Sequence, residues 1–373
     1  MSVDPQTGVT FRVEPLPALA ELEIAWREAE SRHAGSFFTS WSWMGVWLTT
    51  LPPEVEPQLI RAIRSDATVA LAIAVLRRAR RHLVVDTLQL HFNATGNPDC
   101  DTITIEHNDF VGAPGLLPAF IEWFAASNCA DEVIVSGVSP FGIRSAGGLL
   151  RSERWVPAFA NDQLQVIGRD SLGVTLSRNA RQQLSRSMRS LSRFGALCVE
   201  AAATSADALL WFDAMKVLHV KSWMRRGKRH AFALPYFERF HRALISSGAG
   251  EMLRIRAGDH VVGYLYNFRR GATIYAYQSG FADDNDVDRP GYVCHALAME
   301  HYAGQGAATY DFLAGDNRLK RSFGPRRYSL CWAAYSRPTF LLRLEASLRA
   351  VRERLRRTAV EGSDDPRDVS APA

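Results

Sequence analysis

Two short stretches carry residue types that do chemistry at useful spacing. Arg289-Pro290-Gly291 puts a cation, a helix-starting proline and a glycine in a row ahead of an apolar helix-like run. Proline belongs at the first helical position, and glycine allows close backbone approach. The unpaired N–H groups and dipole of such an opening hold anions. Twenty residues on, Asp311-Phe312-Leu313-Ala314-Gly315 is followed by Lys320. Asp311 is suited to accept or orient the proton of an amine or hydroxyl. Lys320 is suited to hold an anionic group or a developing oxyanion. The plainer alternative is an Asp311–Lys320 ion pair that fastens a turn.

The elements that must position these residues follow from periodicity. Met252–Arg256, Val261–Phe268 and Thr273–Phe281 read as three strands joined by Gly258 and Gly271 turns, a meander. A helix over Pro290–Gly304, a strand over Thr309–Leu313 and a strand over Ser329–Tyr335 come next. Upstream, helices are expected at Ala18–Arg32, Pro114–Ser127, Ser177–Phe194, Asp207–Val220 and Pro235–Ser246. Strands are expected at Gln58–Arg64, Thr68–Leu76, His82–Leu90, Asp101–Glu106 and Glu132–Gly137. The basic run Arg77–Arg81 reads as a solvated hairpin tip. Lys221–Phe232 reads as a basic loop, and Leu164–Val174 as the crossing between halves. Each half thus runs helices, meander, helix, strand. The fold class is α/β (α+β), as two similar units of mixed, mostly antiparallel sheet flanked by helices. The boundaries are 1–170 and 171–337, then a helix over 338–358 with one apolar stripe and a disordered tail at 359–373.

Composition sets the outer limits. A chain of 373 residues with 47% hydrophobic and 22% charged content is globular and suits two ordinary cores. A net charge of +5 and a pI near 9.0 favour small anionic ligands without indicating DNA. Five scattered cysteines without C-x-x-C exclude a disulfide framework or structural zinc and fit a reducing cytoplasm. No signal peptide or membrane-length apolar run is expected. In the acidic run Asp283–Asp288, Arg289 stands where a calcium loop needs glycine, and His295 and His301 are six apart. No metal is expected.

Three further features have two readings each. Phe37, Phe38, Trp43 and Trp47 are either an aromatic core wedge or an acceptor platform. Arg178, Arg181, Arg186, Arg189 and Arg193 fall within an arc of roughly 140° at 100° per residue. That face is either solvated or in contact with an anionic surface. His219, four residues before Trp223, is either a hydrogen-bonded structural histidine or a base.

The order of meander, Pro290-Gly291-Tyr292-Val293 helix opening, Gly304 and Gly306, and Asp311-Phe312-x-x-Gly315 with Lys320 resembles the GNAT superfamily. More narrowly it resembles the CelD-like acyltransferases of cellulose and exopolysaccharide synthesis, relatives of the Fem-type aminoacyltransferases. Phe38-Thr39-Ser40-Trp41 with Trp47, and the basic helix from Arg178, are similar to that family too, although Leu319 stands where an aromatic often precedes the lysine. The resemblance implies a tandem GNAT-like fold and transfer from acyl-CoA, such as acetyl-CoA, to an amine or hydroxyl of a sugar-derived acceptor. It implies pyrophosphate contacts from Arg289 and the N–H groups of Gly291, Tyr292 and Val293. Thioester polarisation would come from N–H groups near Gln278. His219 and Trp223 would border the acceptor pocket. Read from the residues themselves, Tyr277, Tyr302 and Tyr310 are by default core residues, one of them a candidate to protonate the leaving thiolate. A Fem-type enzyme using aminoacyl-tRNA and a non-catalytic scaffold are the competing readings, with the RNA-dependent one lowered by the lack of a helical-arm insertion.

Overall fold

Three-strand meanders need a parallel neighbour and a crossover helix to bury their apolar faces, and the chain supplies this set twice. The computed structural model describes residues 8–81, 85–103, 105–140, 148–164, 176–282, 288–340 and 342–344. The first half runs β1 (Val9–Pro15), α1 (Leu19–Arg32), α2 (Trp41–Thr50), β2 (Pro57–Arg64), β3 (Ala67–Arg81), β4 (Val85–Phe92), a short β5 (Val111–Gly112), α3 (Leu117–Ala126), β6 (Glu132–Val138) and β7 (Leu150–Asn161). The second begins with α4 (Arg178–Leu191) and then repeats the order. It runs β8 (Leu197–Ala201), α5 (Ser205–Arg225), α6 (Pro235–Ser246), β9 (Glu251–Ala257), β10 (His260–Arg270), β11 (Thr273–Phe281), α7 (Pro290–Gly304) and β12 (Thr309–Ala314). A short α8 (Arg318–Phe323) and β13 (Arg326–Ser336) complete it.

All strands join one sheet in the order β1-β2-β3-β4-β6-β13-β7-β12-β11-β10-β9-β8, with β5 paired to β3. Within this path only β4/β6 and β11/β12 are parallel. The final strands are exchanged: β7 of the first half pairs with β12, and β13 of the second pairs with β6. The fold is therefore the tandem, mixed-sheet α/β arrangement expected from the sequence.

One face of the sheet carries a single core shared by both halves. Phe38, Trp43 and Trp47 are buried there among Phe240, Tyr266 and Phe268 from the second half. Phe37 stacks on Phe268 at 4.5 Å and 4°. The aromatic segment is thus a wedge fixing α2 to the opposite half, a packing role. On the other face the halves keep separate cores, one around α3 and one around α4 and α7.

Several sequence expectations change. Arg77–Arg81 continue β3 and pair with β4 instead of forming a hairpin tip, because Arg80 has Asp86 to pair with across the ladder. Asp101–Glu106 is not a strand. Asp101 accepts from the backbone N–H of Thr95 and Gly96 and closes a 3₁₀ turn over Asp101–Ile103. Lys221–Arg225 extend α5 instead of opening a loop, since Ser222 and Trp223 still pack inward. Lys320 stands on α8, capped by Asn317, not in an open turn. Strands β1, β7 and β8 have no counterpart in the sequence reading. The crossing beyond Leu164, the tail and most of the C-terminal helix lie outside the described residues.

Gly137 in β6 has φ +67°, and a Cβ there would sit 2.1 Å from the Ile105 carbonyl oxygen and 3.1 Å from Glu106 Cα. Gly137→Ala is expected to cost at least about 2 kcal/mol in urea unfolding, from left-handed strain plus a backbone clash.

Candidate active site

The site begins where two parallel strands part. β11 and β12 share only three register pairs, Thr273↔Thr309 to Tyr275↔Asp311, and then diverge. Both strands bulge at that point. Tyr277 is the extra residue of β11, because Tyr266 faces Gln278 while Asn267 faces Ala276. On β12, the register against β7 slips between Asp311 and Ala314, and Leu313 adopts φ +62°. The cause lies in Asp311 itself, whose Oδ1 accepts the Leu313 N–H at 2.8 Å and holds this left-handed turn. A parallel ladder broken this way leaves facing backbone groups without strand partners.

A cavity of about 860 Å³ opens into the gap. One wall is Gln278–Phe281, Arg289, Gly291 and Tyr292, with Arg318–Lys320 beside it. The facing wall has His219, Trp223, Phe237 and Tyr277, with Arg225 and Arg226 from the end of α5. Gly280 lets α5 come this close, since a Cβ there would meet the Met215 carbonyl oxygen at 2.3 Å. Arg289 enters α7 with φ +39°, which turns the helix opening toward the cavity residues.

The carboxylate in this lining comes from the other half. Glu106 is 7% exposed, and its Oε2 accepts the Ala314 N–H at 2.7 Å. Burial pushes its pKa up to about 7, against the pull of the Ala314 N–H, Lys320 and His107. Burial likewise lowers the Lys320 ammonium, although Glu106 and Asp311 favour its charged form. For each partner, loss of water outweighs the attraction of the other. Lys320 Nζ donates to the carbonyls of Leu313 (3.2 Å) and Ala314 (2.5 Å), bracing the same bulge from its other side.

Glu106 was absent from the candidates read from sequence, where it was placed as the last residue of a strand. The one available signal was the polar run Glu106-His107-Asn108-Asp109 between Ile105 and Phe110. The expected residues divide as follows. Gln278, Arg289, Gly291, Tyr292, His219, Trp223, Tyr277 and Lys320 all line the cavity. Asp311 does not. It is buried behind the bulge, accepting from Tyr328 Oη (2.7 and 2.8 Å) and facing His107 Nε2 at 3.1 Å. No Asp311–Lys320 ion pair forms, because the lysine is taken by the two carbonyls. Val293 is buried in the core and outside the lining, as are Tyr302 and Tyr310.

His219 donates from Nδ1 to the Ser279 carbonyl at 2.9 Å and stacks on Trp223 at 5.4 Å. Its buried Nε2 has no hydrogen-bond partner among the described residues, and burial lowers its pKa, so the ring is a neutral acceptor. Tyr277 donates to the Ile103 carbonyl, tying the 3₁₀ turn of the first half onto β11.

The parted strands β11 and β12 and the opening of α7 lie inside the stretch that a comparison with protein families matches. The profile of the acetyltransferase (GNAT) domain family matches residues 178–321. The second half is similar to GNAT acetyltransferase domains. No curated protein matches the sequence. Among solved structures, FemX is similar over 90% of this chain and 100% of its own, at 12% identity and a TM-score of 0.54. The C-terminal domain of a protein from Agrobacterium fabrum described as a lysylphosphatidylglycerol synthetase is similar over 90% and 96%, at 12% identity and 0.51. A conserved protein of unknown function from Bacteroides thetaiotaomicron is similar over 88% and 100%, at 10% and 0.51. At these identities the likeness is one of fold.

Tyr328→Phe leaves the buried Asp311 carboxylate without its shortest hydrogen bonds. A loss of about 1–3 kcal/mol is expected in chemical denaturation, the usual cost of an unsatisfied buried polar group.

Proposed function

We propose that the protein transfers an acyl group from acyl-CoA to an amine or hydroxyl of a small, sugar-derived acceptor in polysaccharide or cell-envelope synthesis in the cytoplasm. The observation that carries this reading is Glu106, held by the Ala314 N–H at the edge of the parted strands and tuned close to neutrality. A base is most effective when its pKa lies near the working pH. Glu106 takes the proton of the attacking amine or hydroxyl. Asp311, expected to do this work, instead shapes the bulge that presents the Ala314 N–H. Lys320 steadies the Glu106 charge and attracts an anionic acceptor group.

Acyl-CoA supplies the activated thioester. The unpaired edge of β11 near Gln278 suits N–H donation to its carbonyl oxygen, and the α7 opening at Gly291 with Arg289 suits its phosphates. The Tyr292 N–H, by contrast, donates to the Arg289 carbonyl at 2.9 Å, and Val293 lies outside the lining. His219 and Trp223 form the acceptor wall. Tyr277, one of the tyrosines expected to protonate the leaving thiolate, donates its hydroxyl proton to the Ile103 carbonyl and shapes the wall instead. Attack is direct, since no cysteine lines the cavity and, among the described residues, no hydrogen bond joins the hydroxyl of Ser222 or Ser279 to His219 or Glu106.

The likeness to FemX favours a second reading, an aminoacyl-tRNA-dependent transfer that uses the arginine face of α4 as its anionic contact. That reading calls for tRNA affinity that falls steeply with salt.

Two measurements test the first reading. Acetyl-CoA or a longer acyl-CoA at about 100 times its dissociation constant should stabilise the fold by about 2.7 kcal/mol. No shift with any CoA, alongside a shift with charged tRNA, transfers the case to the second reading. Glu106→Gln keeps the shape and removes the base, so the rate of CoA release should fall about 100-fold or more while acetyl-CoA affinity is kept. The carboxylate form is the active one. The wild-type rate should therefore rise with pH up to about 7 and level off above it, and the variant should lack that limb.

A further inference from the structure

Glu106 and His107 are consecutive, and both side chains cross to one short segment of the other half. Glu106 Oε2 accepts the Ala314 N–H at 2.7 Å, and His107 Nε2 lies 3.1 Å from Asp311 Oδ2. A carboxylate only accepts, so Nε2 carries the hydrogen and donates it. Asp311 Oδ1 in turn accepts the Leu313 N–H at 2.8 Å, the bond that turns the chain ahead of Ala314. The contacts close a circuit: Glu106 to Ala314, back through Leu313 to Asp311, across to His107, and along the chain to Glu106.

Both sides of this circuit contain left-handed backbone at residues other than glycine. His107 has φ +50° and Leu313 has φ +62°. Such a conformation persists only where the surrounding bonds impose it. The Ser36 hydroxyl donates to the His107 carbonyl at 2.9 Å, and the Asn108 N–H to the Gly137 carbonyl at 3.0 Å. The imidazole rests against Tyr275 and Tyr328, with ring centroids at 5.7 and 5.4 Å. His107 does not line the cavity of the candidate site. It borders a separate one of about 260 Å³, beside Ser36 and Asp109. What it contributes to chemistry therefore passes through its neighbours.

We propose that His107 is a positioning residue that fixes the Glu106 carboxylate at the parted strands, acting through Asp311 and the bulge at Leu313. Its bearing on the reaction rests on reading Glu106 as the base. Among the described residues, the titratable groups facing Glu106 are Lys320 of α8, Asp311 of β12, Tyr277 of β11, Tyr328 of β13 and His107 itself. Asp311 disfavours the Glu106 charge, whereas Lys320 and His107 favour it. Removing the His107 donor leaves the Asp311 charge less offset, so Glu106 keeps its proton to higher pH. Removing the Asp311 charge does the reverse. Loosened packing alone produces no such pair of opposite shifts.

Three variants test this. His107→Phe keeps an aromatic ring and removes the donor, and His107→Gln restores a donor. Asp311→Asn keeps an oxygen for the Leu313 N–H and loses the charge. The Glu106 carboxyl is titrated directly by carbon-13 NMR, its signal identified by its absence from Glu106→Gln, and a cooperative thermal transition is the fold control for each variant. The midpoint should rise by about half a pH unit or more in His107→Phe, fall by a similar amount in Asp311→Asn, and return toward wild type in His107→Gln. CoA release at pH 7 should fall about tenfold in His107→Phe, in kcat and not in KM for acetyl-CoA. Midpoints that stay in place, or that move in the same direction in His107→Phe and Asp311→Asn, overturn the proposal. So does a wild-type rate in His107→Phe where Glu106→Gln is impaired. Opposite shifts together with an unimpaired Glu106→Gln rate uphold the positioning and overturn the assignment of Glu106 as base.

Discussion

A parallel strand pair that parts before its ends leaves backbone donors and acceptors facing an opening, and each must find a partner. This molecule meets that constraint twice. In the first half, β4 and β6 part after Phe92 and Val135. Asn108 fills the gap, donating to the Phe92 and Ser136 carbonyls, while its backbone N–H reaches the Gly137 carbonyl. Asn93 braces it with a 2.8 Å bond to its side-chain oxygen. In the second half the equivalent gap between β11 and β12 is the cavity. The same local geometry is a closed structural joint on one side and an open binding cleft on the other.

The plug and the candidate base are one segment. Asn108 fills its own half's gap, and two residues earlier Glu106 crosses to Ala314 of the other half. Gly137 and Leu313 occupy matching bulge positions, both left-handed, on β6 and β12. The chain therefore fills one cleft with the same segment that furnishes the other.

The sequence revealed the second half well because its information is local. Alternating apolar residues, two glycine turns and a proline-glycine opening fix three strands and α7 without reference to the rest of the chain. Eight of the lining residues were legible in the sequence, six of them between Tyr277 and Lys320 and the other two, His219 and Trp223, upstream. Glu106 was not, because its role depends on a 3₁₀ turn made by Asp101 and on a partner more than 200 residues away. Asp311 was misleading in a similar way. Its spacing to Lys320 is right for a shared site, but the bulge turns the carboxylate toward Leu313 and Tyr328. Strand β7 was missed because its outer half, Leu150–Trp155, lacks the regular alternation that marks a one-sided strand.

The exchange of β7 and β13 has a consequence for how the molecule could have arisen and how it holds together. Cutting the chain between the halves would leave each fragment with a borrowed place in its sheet empty and an unpaired final strand exposed. Neither fragment would close its own hydrogen-bond ladder. The duplication visible in the element order is therefore no longer divisible, and the parted strands of each half are hydrogen-bonded to the final strand of the other.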